Sequence, residues 1–158
     1  MGELPDFWRP EVYHPLSVHL PIGLLLVATV FKLISIRIES PVWNKGGSIL
    51  LVIGVIGAWV SVYTGDIADG IVSRQLCDPT VLKDHENASI AMAWLFTTAV
   101  VLEMVHGFLR SRWLKLVVVV VMSVGSGFLA YTGHLGATLV YQQAAGVHVP
   151  SDDCGEFE

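Results

Sequence analysis

Four apolar segments, each long enough to cross a bilayer, constrain this chain more than any single motif. They cover residues 15–35, 46–64, 88–108 and 114–133, and roughly 20 helical residues cross about 30 Å of hydrocarbon. Backbone groups in lipid must be satisfied within their own segment, which selects helix. A transmembrane barrel would need alternating apolar and polar positions, and the run from Leu116 to Met122 has none. Composition agrees: 53% of the 158 residues are hydrophobic and 15% charged, against about 25% charged in soluble domains. The predicted fold is all-α and integral to the membrane, a four-transmembrane-helix bundle forming one domain over residues 1–158. With a net charge of −5, no nucleic-acid partner is expected.

Lysine and arginine set the expected orientation. Lys32, Arg37 and Lys45 surround the first connection, and Arg110, Arg112 and Lys115 the third. Only Arg9, Arg74 and Lys83 fall on the other side, which carries twelve of the fourteen carboxylates. The positive-inside rule then places both termini and a 66–87 loop outside, in a bacterial periplasm, with the chain multi-pass in the inner membrane. No basic region leads the first span, so that span is expected to be retained. Cys77 and Cys154 share the outer side, where a disulfide between loop and tail is expected; two unpaired thiols are the alternative.

The chain also carries an internal repeat. Tyr63-Thr-Gly-Asp66 closes the second span and Tyr131-Thr-Gly-His134 the fourth, while His14 and His85 open the first and third. The expected architecture is two pseudo-symmetric helical hairpins about an axis along the membrane normal, an arrangement that places sites at the repeat interface. It sets Lys32 against Glu103 near equal depth, and isolated charges at such depth pair or snorkel.

Histidine carries the candidate chemistry. Of six histidines, His14, His19, His85, His134 and His148 fall on the outer side. Imidazole at a membrane boundary is costly unless hydrated, hydrogen-bonded or bound to metal. His14 and His19 lie five residues apart, a rotation of roughly 140°, so they do not share one ligand. No His-Glu-x-x-His zinc motif is present, one Glu-x-x-His falls short of a di-iron site, and no Cys-x-x-Cys-His attaches a c-type haem. Non-covalent haem fits, since it needs axial imidazoles on facing helices within an apolar slot. His19 and His134 are the expected first axial pair. His14 and His85 form a second pair or bind propionates, giving one haem b or two.

The segment His14-Pro-Leu-Ser-Val-His19-Leu-Pro21-Ile22 resembles the His-Pro-x-x-Val-His-Phe-Pro-Ile opening of a bacterial membrane family known as domain of unknown function 2231. Thr132-Gly-His134-Leu-Gly136-Ala-Thr-Leu-Val140 and His85 are similar to its later motifs, and Leu20 stands where phenylalanine is usual. The resemblance runs from His14 to about Gly146. It implies a four-helix bundle, and family members that accompany or are fused to c-type cytochrome domains imply electron transfer with haem b. The expected function is thus a membrane cytochrome b subunit, an electron-transfer subunit rather than a stand-alone enzyme. It would hold bis-histidine haem near the periplasmic face and pass electrons from a membrane donor such as quinol to a periplasmic c-type cytochrome. The expected partners are the lipid bilayer and other subunits of an electron-transfer complex. Two alternatives stay open: a non-redox anchoring or assembly subunit of a respiratory or photosynthetic complex, and a copper- or iron-handling membrane protein.

Overall fold

The computed structural model describes residues 9–147. They form four helices: α1 (Pro10–Ser35), α2 (Pro41–Val72), α3 (Pro79–Leu109) and α4 (Arg112–Gln143). Proline opens the first three, where its fixed φ suits the first turn and its missing N–H costs nothing. Ser40 caps α2 by accepting from the Val42 amide, and Asp78 caps α3 by accepting from that of Thr80. All four helices are long and apolar enough to cross a membrane.

The helices outrun the apolar segments that announced them. α2 and α4 each have 32 residues, about 48 Å of helix against about 30 Å of hydrocarbon. The expected 66–87 loop is therefore mostly helical, and only residues 73–78 connect α2 to α3. No proline lies between Asp66 and Val72, and the helix runs on through Gly70. Ala68 and Val72 stay buried there while Asp66 is exposed, so the inner face continues as the outer face turns polar.

Each helix packs on two neighbours, α1 on α2 and α4, and α3 on α2 and α4, with the closest packing inside the hairpins α1–α2 and α3–α4. α1 and α3 thus face each other across the diagonal. Leu25, Leu51, Phe96, Val118 and Met122 fill the centre. Glycine allows the close approach within each hairpin: a Cβ on Gly54 would stand 2.7 Å from Leu25 Cδ2, and one on Gly125 3.0 Å from Phe96 Cε2. Gly54 and Leu25 each recur 71 residues later as Gly125 and Phe96. The buried Gly47, Leu51 and Ala58 likewise recur as Val118, Met122 and Leu129. The Tyr-Thr-Gly match uses a step three residues shorter. Tyr63 and Tyr131 are 67% and 50% exposed, so packing does not hold them to the register of the core.

The two diagonal helices meet near both ends. At the end that carries the short connections 36–40 and 110–111, the expected pairing of Lys32 with Glu103 forms. Lys32 is 2% exposed and also donates to Asn44 O at 3.1 Å and Ser48 Oγ at 2.8 Å; Ser48 Oγ in turn contacts Glu103 Oε1 at 2.8 Å. Every donor of the buried ammonium therefore has an acceptor, which is what burial of a charge requires. The opposite end, where Pro10, Val72, Pro79 and Gln143 lie, is tied by Gln143 Oε1 accepting from the Asp78 amide at 2.9 Å.

Candidate histidine site

At that opposite end, His14 of α1 and His85 of α3 converge across the diagonal, with ring centres 6.0 Å apart and planes at 85°. Each ring is anchored in the same way. His14 Nδ1 donates to Ser61 O at 2.9 Å and His85 Nδ1 to Thr132 O at 3.0 Å, spanning 47 residues in both cases. A backbone carbonyl has no proton to give, so the ring nitrogen facing it carries the hydrogen. That fixes the tautomer and leaves Nε2 as the free acceptor, which is how metal-binding histidines are oriented.

Glycine makes room for both rings. A Cβ on Gly65 would stand 3.1 Å from His14 Cε1, and one on Gly136 3.3 Å from His85 Cε1. The level is braced further where Ser17 Oγ and Thr64 Oγ1 share a hydrogen bond at 2.9 Å. Thr132 supplies the carbonyl that anchors His85, yet its own Oγ1 is buried without a partner. Its counterpart, Ser61 Oγ, donates to Gly57 O at 3.0 Å.

His19 and His134 are both exposed. Their relation follows from the contact of Thr29 Oγ1 with Ser126 Oγ at 3.1 Å, which joins antiparallel α1 and α4. Ten residues before Thr29 on α1 lies His19, and eight beyond Ser126 on α4 lies His134, so the two stand near one level. At about 100° per residue, each turns roughly 80° from the seam to its outward side. They share that side, facing away from the core that holds His14 and His85.

The α1–α4 flank is built from smaller residues. Across α2–α3, Trp59 stacks edge-on with Trp94 at 5.2 Å and donates to Thr97 Oγ1 at 3.0 Å. Seventy-one residues away in the corresponding positions stand Ala130 and Gly23. A Cβ on Gly23, Gly127 or Gly133 would meet nothing within 4 Å.

The described residues thus bring His14 and His85 together, and align His19 with His134 outside the core. Among them, no three His, Cys, Asp or Glu side chains group as a metal cage, which separates both pairs from a closed zinc site. Cys77 is exposed; His148 and Cys154, the other half of the expected disulfide, lie outside the described residues. Sequence reasoning missed the two anchoring carbonyls, and the glycines beside them were the available signal.

No curated protein and no solved structure matches the chain. A protein family does, over residues 11–149, which takes in all four helices and both histidine pairs. The chain belongs to that family, described as "Predicted membrane protein (DUF2231)".

Proposed function

We propose that this membrane protein is a haem-bearing electron-transfer subunit of the b-cytochrome type, with His14 and His85 as its primary axial ligands. The observation that carries the reading is the convergence of two tautomer-locked imidazoles at 6.0 Å. Two imidazoles bonded to one first-row metal at about 2.0–2.1 Å put their ring centres roughly 6 Å apart. The buried, partnerless Thr132 Oγ1 beside the His85 anchor supports a bound polar group there. Haem would supply a one-electron couple; the chain's own residues hold the rings in one tautomer and surround them with apolar helix.

His19 and His134 are a second axial pair in this reading. Their shared level and outward side, beside the open glycines of the α1–α4 seam, suit a flat macrocycle held at the bundle's flank. The recurrence of packing and anchoring contacts at a step of 71 supports two hairpins related by a twofold axis along the membrane normal. The lysine and arginine bias supports a bacterial inner membrane with both termini outside, and a disulfide from Cys77 to Cys154 belongs with that placement. Both histidine pairs then lie toward the periplasm, where a c-type cytochrome is the natural acceptor, with quinol as donor.

Absorption spectra of the purified full chain test the proposal. A Soret band and a reduced α band of b-type haem are expected, with the low-spin spectrum lost in His14→Ala and in His85→Ala. Haem measured per chain, before and after His19→Ala and His134→Ala, counts the second site. A preparation that is colourless, metal-free and unable to take up added haem refutes the assignment. Copper found in its place by elemental analysis would replace haem with the metal-handling function, which the same pair spacing suits.

A further inference from the structure

The end of the bundle opposite the histidines holds a cleft of about 650 Å³ between the start of α2, the end of α3 and the start of α4. Lys45, Arg110, Arg112, Lys115 and His106 line it, and Glu39 is the single carboxylate among the lining residues. Among the described residues, the ion pairs are Arg9–Glu11, Lys32–Glu103 and Lys83–Glu86. None of the four cleft cations takes part in them. Lys115 is partly committed, donating from Nζ to Ser35 O at 2.5 Å.

A basic end alone would satisfy membrane topology, since lysine and arginine need only reach water. Three features go further. His106 Nδ1 is buried and has no hydrogen-bond partner, an exception that calls for a group to satisfy it. Ser111, at the start of α4, makes no side-chain cap, so the first amides of that helix keep their free donors beside Arg112. Arg110 adopts left-handed backbone at φ 48° while its amide donates to His106 O at 2.8 Å. Glycine takes that conformation without strain, yet the chain has arginine there and so adds a charge at the cleft.

We infer that this cleft is a binding site for a phosphate group, carried either on a lipid headgroup or on a soluble molecule. Phosphate matches what the cleft offers: the guanidinium forks of Arg110 and Arg112 and the ammonium groups of Lys45 and Lys115 all donate to its oxygens, and the start of α4 adds the favourable end of a helix dipole. The volume falls within the range of about 300–1,000 Å³ usual for small-ligand sites, leaving room for more than the phosphate itself. Basic recesses between transmembrane helices are suited to anionic headgroups.

Calorimetry on the purified full chain in detergent tests the site with three probes: inorganic phosphate, dioctanoyl phosphatidic acid and dioctanoyl phosphatidylcholine. Saturable binding of phosphatidic acid, at least about tenfold tighter than phosphatidylcholine, is expected, and it should weaken about tenfold or more in R110Q/R112Q. Lys45→Gln, a milder change, should weaken it severalfold and serves if the double variant does not fold. Binding of inorganic phosphate as well assigns a soluble source; binding of phosphatidic acid alone assigns the lipid headgroup. Absence of saturable binding by both anionic probes overturns the inference. Affinities unchanged in a folded R110Q/R112Q or in Lys45→Gln overturn it too.

Discussion

Removing the charge of Glu103 tests the ion pair that joins α1 to α3. In Glu103→Gln, Lys32 stays buried at 2% exposure and keeps Asn44 O and Ser48 Oγ as acceptors, but loses its counter-charge. Breaking a buried pair by deleting one partner costs about 3–5 kcal/mol. Glu103 is 20% exposed, so solvent already screens part of the attraction, and glutamine still accepts a hydrogen bond. An expected loss of about 2–3 kcal/mol follows. The double change Lys32→Met with Glu103→Leu removes both charges together, and comparable replacements of buried pairs are neutral or stabilising. It should therefore fall within about 1 kcal/mol of the parent. Ser48 Oγ survives this, because it also donates to Asn44 O at 2.9 Å. The assay is reversible unfolding of the full chain in bicelles, with the parent, Lys32→Met, Glu103→Leu and their combination compared as a double-mutant cycle and Glu103→Gln measured beside them. A Glu103→Gln loss below about 0.5 kcal/mol, or a double variant as damaged as the two single changes summed, would refute the reasoning.

Other expected outcomes rest on single contacts. Gly54→Ala drives a Cβ to 2.7 Å from Leu25 Cδ2 and should destabilise by about 1–3 kcal/mol; adding Leu25→Ala should recover part of that in the same unfolding assay. Gly65→Ala places a Cβ 3.1 Å from His14 Cε1 while the Ser61 carbonyl pins the ring, so its cost should shrink in a His14→Ala background; equal costs in both backgrounds would dismiss the ring as the cause. Thr29→Val removes the α1–α4 hydrogen bond and should cost about 0.6 kcal/mol, the average for such bonds between membrane helices. Asp78 accepts from Thr80 Oγ1 and from the Thr80 amide, and both bonds hold its carboxyl below the usual range. A depressed folded-state pKa means that its cap supports the first turn of α3 above about pH 4 and is lost as pH falls further. The protection factor of the Thr80 amide, its exchange rate set against that of the unstructured chain at the same pH, should therefore fall with acid in the parent and show no such step in Asp78→Asn.

Hydropathy located the four helices because a spanning segment has no alternative to helix. It misplaced their ends, since α2 beyond Thr64 and α3 before Ala88 carry charges on one face and read as loop. The Lys32–Glu103 contact was legible because each charge stands alone in apolar surroundings and the repeat set them at one depth. Helical rotation correctly separated His14 from His19: one turns inward and the other is exposed. The convergence of His14 with His85 was legible as a possible second pair, on an equivalence of position alone. What anchors those rings is the peptide carbonyl of Ser61 and of Thr132, and a carbonyl leaves no mark on residue choice. The mark fell instead on Gly65 and Gly136, which the more conspicuous Tyr-Thr-Gly match hid by shifting the comparison three residues.

The unequal seams have a mechanical consequence. A tryptophan pair and the Trp59–Thr97 bond fasten α2 to α3, whereas α1 and α4 meet through small residues, the Thr29–Ser126 hydroxyl pair and Lys115 Nζ on Ser35 O. Fewer large side chains stand between α1 and α4 than between α2 and α3, so strain across the bundle should part α1 from α4 first.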